Sequence, residues 1–144
     1  MRRALIAIIT IAGLSIPAIA SAAGKRHIHF TTKIVGAGIS ANQATYKVHD
    51  SQFGDGAGVQ TVKVNGSGGT DRETTYYGNA TATSKGTFTI GTPDASGIAP
   101  LTGSGHDVSG TGKAKGLKSN YTYRGTYNTK TGGFEVTLTG TYTY

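Results

Sequence analysis

Residues 103–127 read GSGHDVSGTGKAKGLKSNYTYRGTY, a glycine-rich part followed by a part rich in tyrosine and threonine. The first part, Gly103 to Gly116, is crowded with glycine, which predicts a bend. The second part carries Tyr121, Tyr123 and Tyr127 at odd positions, which places them on one face of a β-strand. The stretch therefore predicts a turn that leads into one strand of a larger sheet.

Apolar and polar side chains alternate in six further segments, as they do in half-buried strands. These segments are His27–Ile34, Ala44–Asp50, Val59–Asn65, Arg72–Tyr77, Ala80–Ile90 and Gly133–Tyr144. The segment from Gly91 to Gly105 is less regular and predicts a long loop. Because long threonine-rich strands would leave adhesive edges in an open sheet, we expect an all-β protein that forms a closed antiparallel β-barrel of about eight strands.

The N-terminus has the order of a secretory signal peptide over residues 1–23. Two arginines precede an apolar run, and small residues follow it up to Gly24. We expect cleavage near Ala22 or Ala23 and a secreted, extracellular product. Residues 24–144 are then long enough for a single β-barrel domain with one core.

Composition narrows the chemistry of this domain. The sequence has no cysteine, which excludes disulfides and thiolate sites. Without the two N-terminal arginines, twelve Lys and Arg residues face seven Asp and Glu residues, a net charge of +5. A basic secreted protein can bind anionic polymers. The lysines are scattered along the sequence, however, which favours their interpretation as solvated surface charges. No phosphate loop or nucleic-acid motif is present, so neither a cofactor nor a nucleic-acid partner is expected.

The run Val108-Ser109-Gly110-Thr111-Gly112-Lys113, followed by Gly116 and a Tyr-Thr-rich strand, resembles the glycine-rich turn of dirigent proteins and allene oxide cyclase-like barrels. The resemblance implies an eight-stranded barrel with an apolar interior. It also implies that the interior holds a reactive small molecule and steers its cyclisation or coupling by shape and exclusion of water, without a nucleophile. Lys113 and Lys118 stand where plant dirigents have an acidic residue and an arginine, so no catalytic residue is carried over.

Aromatic residues and one carboxylate are the candidates for a site inside the barrel. Six aromatic side chains are predicted to line a ligand pocket: Tyr46, Tyr77, Phe88, Tyr121, Tyr123 and Tyr127. Inward aromatic residues also fill small barrels without any ligand, and that alternative stays open. Glu73 lies within a predicted strand and would be a proton donor or acceptor if it faced inward. An outward surface charge is the favoured interpretation of Glu73.

The four histidines offer weaker sites. His27 and His29 share one face of a strand and could bind a metal if a third donor were near, although the sequence identifies none. In the pairs His49-Asp50 and His106-Asp107, neighbouring side chains point to opposite faces. Polar surface or turn capping is the preferred interpretation of both pairs.

Two classes of function fit these observations. The leading hypothesis is a secreted barrel that binds a small apolar or aromatic molecule and steers an isomerisation or cyclisation. The alternative is a structural or adhesive extracellular protein with a solid interior; a small outer-membrane barrel is a weaker alternative, because the middle strands are rich in threonine. The expected partner is a small hydrophobic molecule, with no stable membrane insertion, and a homo-oligomer is compatible with either reading.

Overall fold

The computed structural model describes residues 24–144, and the predicted signal peptide lies outside the described residues. Within 24–144 the chain forms eight strands and no helix, so no helix there could span a membrane. The strands are β1 His27–Ser40, β2 Gln43–Asp50, β3 Gly54–Asn65, β4 Gly68–Tyr77, β5 Ala80–Ile90, β6 Ile98–Gly112, β7 Lys118–Asn128 and β8 Gly133–Thr143.

Each strand pairs antiparallel with the next one along the chain, and β1 also pairs with β8. The sheet is therefore a closed barrel, which confirms the predicted fold class. Closure leaves no edge strand to pair with another chain. We call the end with loops 41–42, 66–67, 91–97 and 129–132 the upper end, and the end with loops 51–53, 78–79 and 113–117 the lower end.

The region around β6 differs from its prediction. The loop after β5 is shorter than the predicted Gly91–Gly105, because β6 begins at Ile98. The bend predicted over Gly103–Gly116 is confined to residues 113–117. Glycine in β6 serves close packing instead of turning the chain. A Cβ at Gly103 would lie 2.3 Å from Cζ of Tyr123, and a Cβ at Gly105 would lie 2.5 Å from the hydroxyl oxygen of Tyr121.

The same packing recurs around the barrel, because inward aromatic rings lie over glycines on neighbouring strands. The other pairs in direct register are Tyr46 with Gly58, Tyr77 with Gly56, Phe88 with Gly69, Phe134 with Gly36 and Phe30 with Gly140. Glycine leaves room for each ring to lie flat along the wall. The barrel can therefore hold many rings in a narrow interior.

The lower end is filled by side chains. Phe30 stacks on Tyr142 with ring centroids 3.9 Å apart, and Phe53 meets the edge of Tyr142 at 5.5 Å. Ala114 and Leu117 from the turn between β6 and β7 are also buried. This packing closes one end of the barrel, so the candidate site lies toward the other end.

Candidate ligand-binding site

A cavity of about 150 Å³ lies inside the upper half of the barrel. Loop residues at the upper end, such as Ala41 and Gly132, form part of its wall, and the cavity opens there. Its apolar lining includes Ile34, Val62, Leu101, Phe134, Val136 and Leu138. Glu73 is the one charged side chain among the described residues that line it. We call this space the upper cavity.

Glu73 lies on β4 and forms part of the cavity floor. Its side chain is buried, and the Tyr121 hydroxyl donates a hydrogen bond to Oε1 at 3.2 Å. The pKa of Glu73 is raised to about 7, mainly by burial and in addition by the nearby charge of Asp71. The favoured expectation of a surface charge was therefore wrong: Glu73 points into the barrel and Arg72 points out.

A second and smaller space lies directly below Glu73. It measures about 30 Å³ and is lined in part by Glu73, Tyr121 and Asp107. Ser84 donates to Asp107 Oδ1 at 2.9 Å, and burial raises the pKa of Asp107. This lower chamber is more polar than the upper cavity, although Ile34, Val48 and Leu138 also line it. It is large enough for water, which needs roughly 10–15 Å³ on this measure. Glu73 thus lies between the mainly apolar upper cavity and the more polar lower chamber.

The predicted aromatic residues divide between the two spaces. Tyr46, Phe88, Tyr123 and Tyr127 line the upper cavity, whereas Tyr77 and Tyr121 line the lower chamber. The hydroxyl of Tyr46 lies 2.7 Å from Oγ1 of Thr75, and burial raises the pKa of this tyrosine. The Tyr46 hydroxyl therefore stays protonated at neutral pH and acts as a hydrogen-bond donor or acceptor.

Three further carboxylates lie inside the barrel that the sequence did not place there. Asp50, Asp71 and Asp107 point inward with Glu73, so four of the seven acidic residues lie inside. All twelve Lys and Arg residues in 24–144 are exposed, so the interior contains no Lys or Arg. Asp71 Oδ1 is buried without a hydrogen-bond partner among the described residues, and burial raises the pKa of this carboxyl.

Asp50 has a structural role. Its carboxylate accepts hydrogen bonds from the Thr32 hydroxyl, from the Tyr142 hydroxyl at 2.9 Å, and from the backbone N–H groups of Gln52 at 2.7 Å and Phe53 at 3.0 Å. These bonds fix the turn at 51–53 and hold Phe53 over the lower end. Turn capping was therefore the correct prediction for Asp50.

The His-Asp pairs do point to opposite faces, as predicted, with the histidines outward. The surface interpretation was wrong for Asp107, which lines the lower chamber. It was right for His49, whose Nδ1 pairs with Asp55 at 2.6 Å on the outer surface. Strand alternation was the signal available in the sequence, because Asp50 follows Tyr46 and Val48 on the same face.

His27 and His29 lie outward on β1, on one face as predicted. Their Nδ1 atoms lie 3.1 Å from the Thr143 hydroxyl and 3.4 Å from the Thr141 hydroxyl, respectively. Within residues 24–144, no group of three or more His, Cys, Asp or Glu side chains is arranged to hold a metal ion. The two histidines therefore have threonine hydroxyls, and not further metal ligands, as their partners.

The arrangement supports binding of a small molecule together with transfer of a proton. The upper cavity is mainly apolar, with Gln43 and Gln60 among its polar lining residues, and it presents one carboxyl that gains and loses a proton near neutral pH. Comparisons with protein-family models, curated proteins and solved structures gave no match to this chain.

Proposed function

We propose that this protein is an exported barrel that binds a small apolar or aromatic molecule in the upper cavity. The observation that carries the proposal is an apolar cavity of about 150 Å³ with a single buried carboxyl, Glu73, on its floor. Ligand sites are typically apolar concave spaces with a few placed polar groups. The order of residues 1–23 supports export.

The volume sets the size of the ligand. A dry apolar cavity of about 150 Å³ accommodates one benzene ring. The ligand is therefore a single ring or a short chain, with one hydrogen-bond acceptor directed at Glu73. At or below about pH 7 the carboxyl is protonated and can donate that bond.

The reaction that this site favours is an acid-assisted isomerisation or cyclisation. Glu73 gives its proton to one atom of the ligand and recovers a proton from another, so no oxidant or nucleophile is needed. The cavity wall fixes the conformer that reacts. The resemblance of residues 108–116 to allene oxide cyclase-like and dirigent barrels supports the same reaction class.

Binding of two single-ring probes, toluene and benzonitrile, tests the proposal by NMR titration. Val62→Phe fills the cavity and should weaken binding of both probes by at least about tenfold. Val59→Phe is the control, because Val59 lies outward on the same strand and is 50 % exposed. Equal effects of the two substitutions, or no shift of cavity resonances in the unmodified protein, would contradict the proposal.

The role of Glu73 is tested by pH. Benzonitrile accepts a hydrogen bond and toluene does not, so benzonitrile should bind about threefold to tenfold more tightly at pH 5.5. This preference should disappear at pH 8.5, where Glu73 is ionised, and should persist at pH 8.5 in Glu73→Gln, which keeps a donor. If the preference for benzonitrile is the same at both pH values and in Glu73→Gln, Glu73 does not bind the ligand.

A further inference from the structure

The outer wall of the barrel separates into regions of different charge. Three carboxylates of residues 24–144 lie outside: Asp55 on β3, Asp94 in the loop at 91–97, and Glu135 on β8. None of them lies on β4–β7. We define the cationic face as the outward side of β4–β7, which carries Arg72, Lys85, His106, Lys118 and Arg124.

Three of these side chains form a row across neighbouring strands. Arg72 is directly opposite Lys85 on β5, and Lys85 is directly opposite His106 on β6. Like charges in directly opposite positions destabilise a sheet. Within the described residues the one ion pair joins His49 to Asp55, so no carboxylate neutralises the row. An anion from outside the protein would supply the missing charge.

A groove beside the row adds hydrogen-bonding groups. It encloses about 370 Å³ on the outer surface, and exposed Thr87, Ser104 and Asn120 line it together with Lys85 and His106. Hydroxyl and amide groups next to cations suit a ligand that carries both hydroxyls and negative charges. An acidic polysaccharide has both.

The composition of the face disfavours single-stranded nucleic acid, which needs aromatic platforms for its bases. Tyr76 is the one outward aromatic residue on β4–β7, and it lies at the margin, on the strand next to β3. The other tyrosines of these strands point into the barrel. We propose that the cationic face binds an acidic polysaccharide, with the row of Arg72, Lys85 and His106 holding its anionic groups.

Heparin is the probe for this proposal, and its dissociation constant is measured by calorimetry at several salt concentrations. In Arg72→Gln/Lys85→Gln, binding should weaken by about tenfold or more, and the slope of log K against log salt should fall by about 2. The folded state should be at least as stable as before, because the substitution removes a like-charge pair.

The matched control is Lys33→Gln/Lys47→Gln, which removes the same charge from β1 and β2. Lys33 is opposite His49, which is itself opposite Asp55. Lys47 is opposite Val35, which is itself opposite Glu135, so this surface already contains carboxylates. The control should change heparin affinity by less than about threefold. Equal losses in the two double variants would overturn the proposal, because they would indicate only a response to net charge.

Two further ligands complete the test. Neutral dextran should not bind, and duplex DNA at equal charge concentration should bind more weakly than heparin. Binding of dextran as tight as that of heparin, or tighter binding of DNA, would overturn the assignment to an acidic polysaccharide. Val62→Phe should leave heparin affinity unchanged, so this proposal and the cavity proposal can fail separately.

Discussion

At the scale of single residues, the protonation of Glu73 links the cavity to stability. The folded protein keeps this proton up to a pKa of about 7, whereas the unfolded chain loses it near the ordinary value of 4.5. Between those values the folded state binds more protons, so stability falls as pH rises. The full difference corresponds to about 3 kcal/mol. We expect the loss to be complete slightly above pH 7.

Glu73→Gln should therefore flatten the fall in unfolding free energy between pH 5 and pH 8, measured by urea denaturation. The fall should not vanish, because burial also raises the pKa of Asp71 and of Asp107. Glu135→Gln, on the outer surface of β8, should leave the slope unchanged. Stability that rises with pH in the unmodified protein would show that Glu73 is not buried as described.

The orientation of Glu73 shows what sequence can predict at this scale. Alternation correctly groups Asp71, Glu73 and Thr75 on one face of β4 and Arg72 with Tyr76 on the other. Because Tyr77 lies on the same face and was predicted to line the interior, alternation also places Glu73 inside, so the surface interpretation of Glu73 conflicted with the predicted pocket. What alternation does not predict is the partner of Glu73 across the interior, the Tyr121 hydroxyl that donates to its Oε1.

At the scale of strands, the contact between aromatic rings and glycines sets the register. Gly103→Ala would place a Cβ 2.3 Å from the backbone oxygen of Thr87 and 2.3 Å from Cζ of Tyr123. Since backbone cannot move aside easily, we expect a loss of about 1–3 kcal/mol in chemical denaturation. Gly78→Ala is the control, because no atom lies within 4 Å of its added Cβ. Similar losses for both would contradict this role of glycine.

The same contact explains why β6 was predicted as a bend. Glycine is depleted in ordinary strands and enriched in turns, so Gly103 and Gly105 favour a turn when the sequence is considered locally. Their function becomes visible only when Tyr121 and Tyr123, both on β7, are placed opposite them. The segment Ala80–Ile90 was predicted with the bounds that the structure shows, whereas β1, β3 and β4 are longer than the predicted His27–Ile34, Val59–Asn65 and Arg72–Tyr77.

At the scale of the whole molecule, the barrel wall separates buried acidic side chains from exposed basic ones. Four carboxyls lie inside, and all twelve Lys and Arg residues of the described chain lie outside. The inner carboxyls cannot neutralise the outer cations by direct contact. The two proposals therefore concern opposite sides of one wall: proton exchange in the small apolar cavity inside it and binding of anions on its outer surface.

Closure of the barrel depends on the contact between the first and last strands. Phe30 on β1 lies over Gly140 and stacks on Tyr142 of β8 at 3.9 Å. Phe30→Ala removes this contact and leaves a cavity where the ends of the chain meet, so we expect a loss of about 3–5 kcal/mol. Tyr76→Ala is the control, because Tyr76 is 55 % exposed, and should change stability by less than about 0.5 kcal/mol.

Unfolding should remain a single cooperative transition in both variants, because every strand pairs with two neighbours and none can leave without opening the ring. Thermal denaturation followed by far-UV and near-UV circular dichroism tests this expectation. Equal losses for Phe30→Ala and Tyr76→Ala would show that contacts elsewhere maintain closure. Separate transitions in the two spectra would show that β1 and β8 part before the rest of the barrel unfolds.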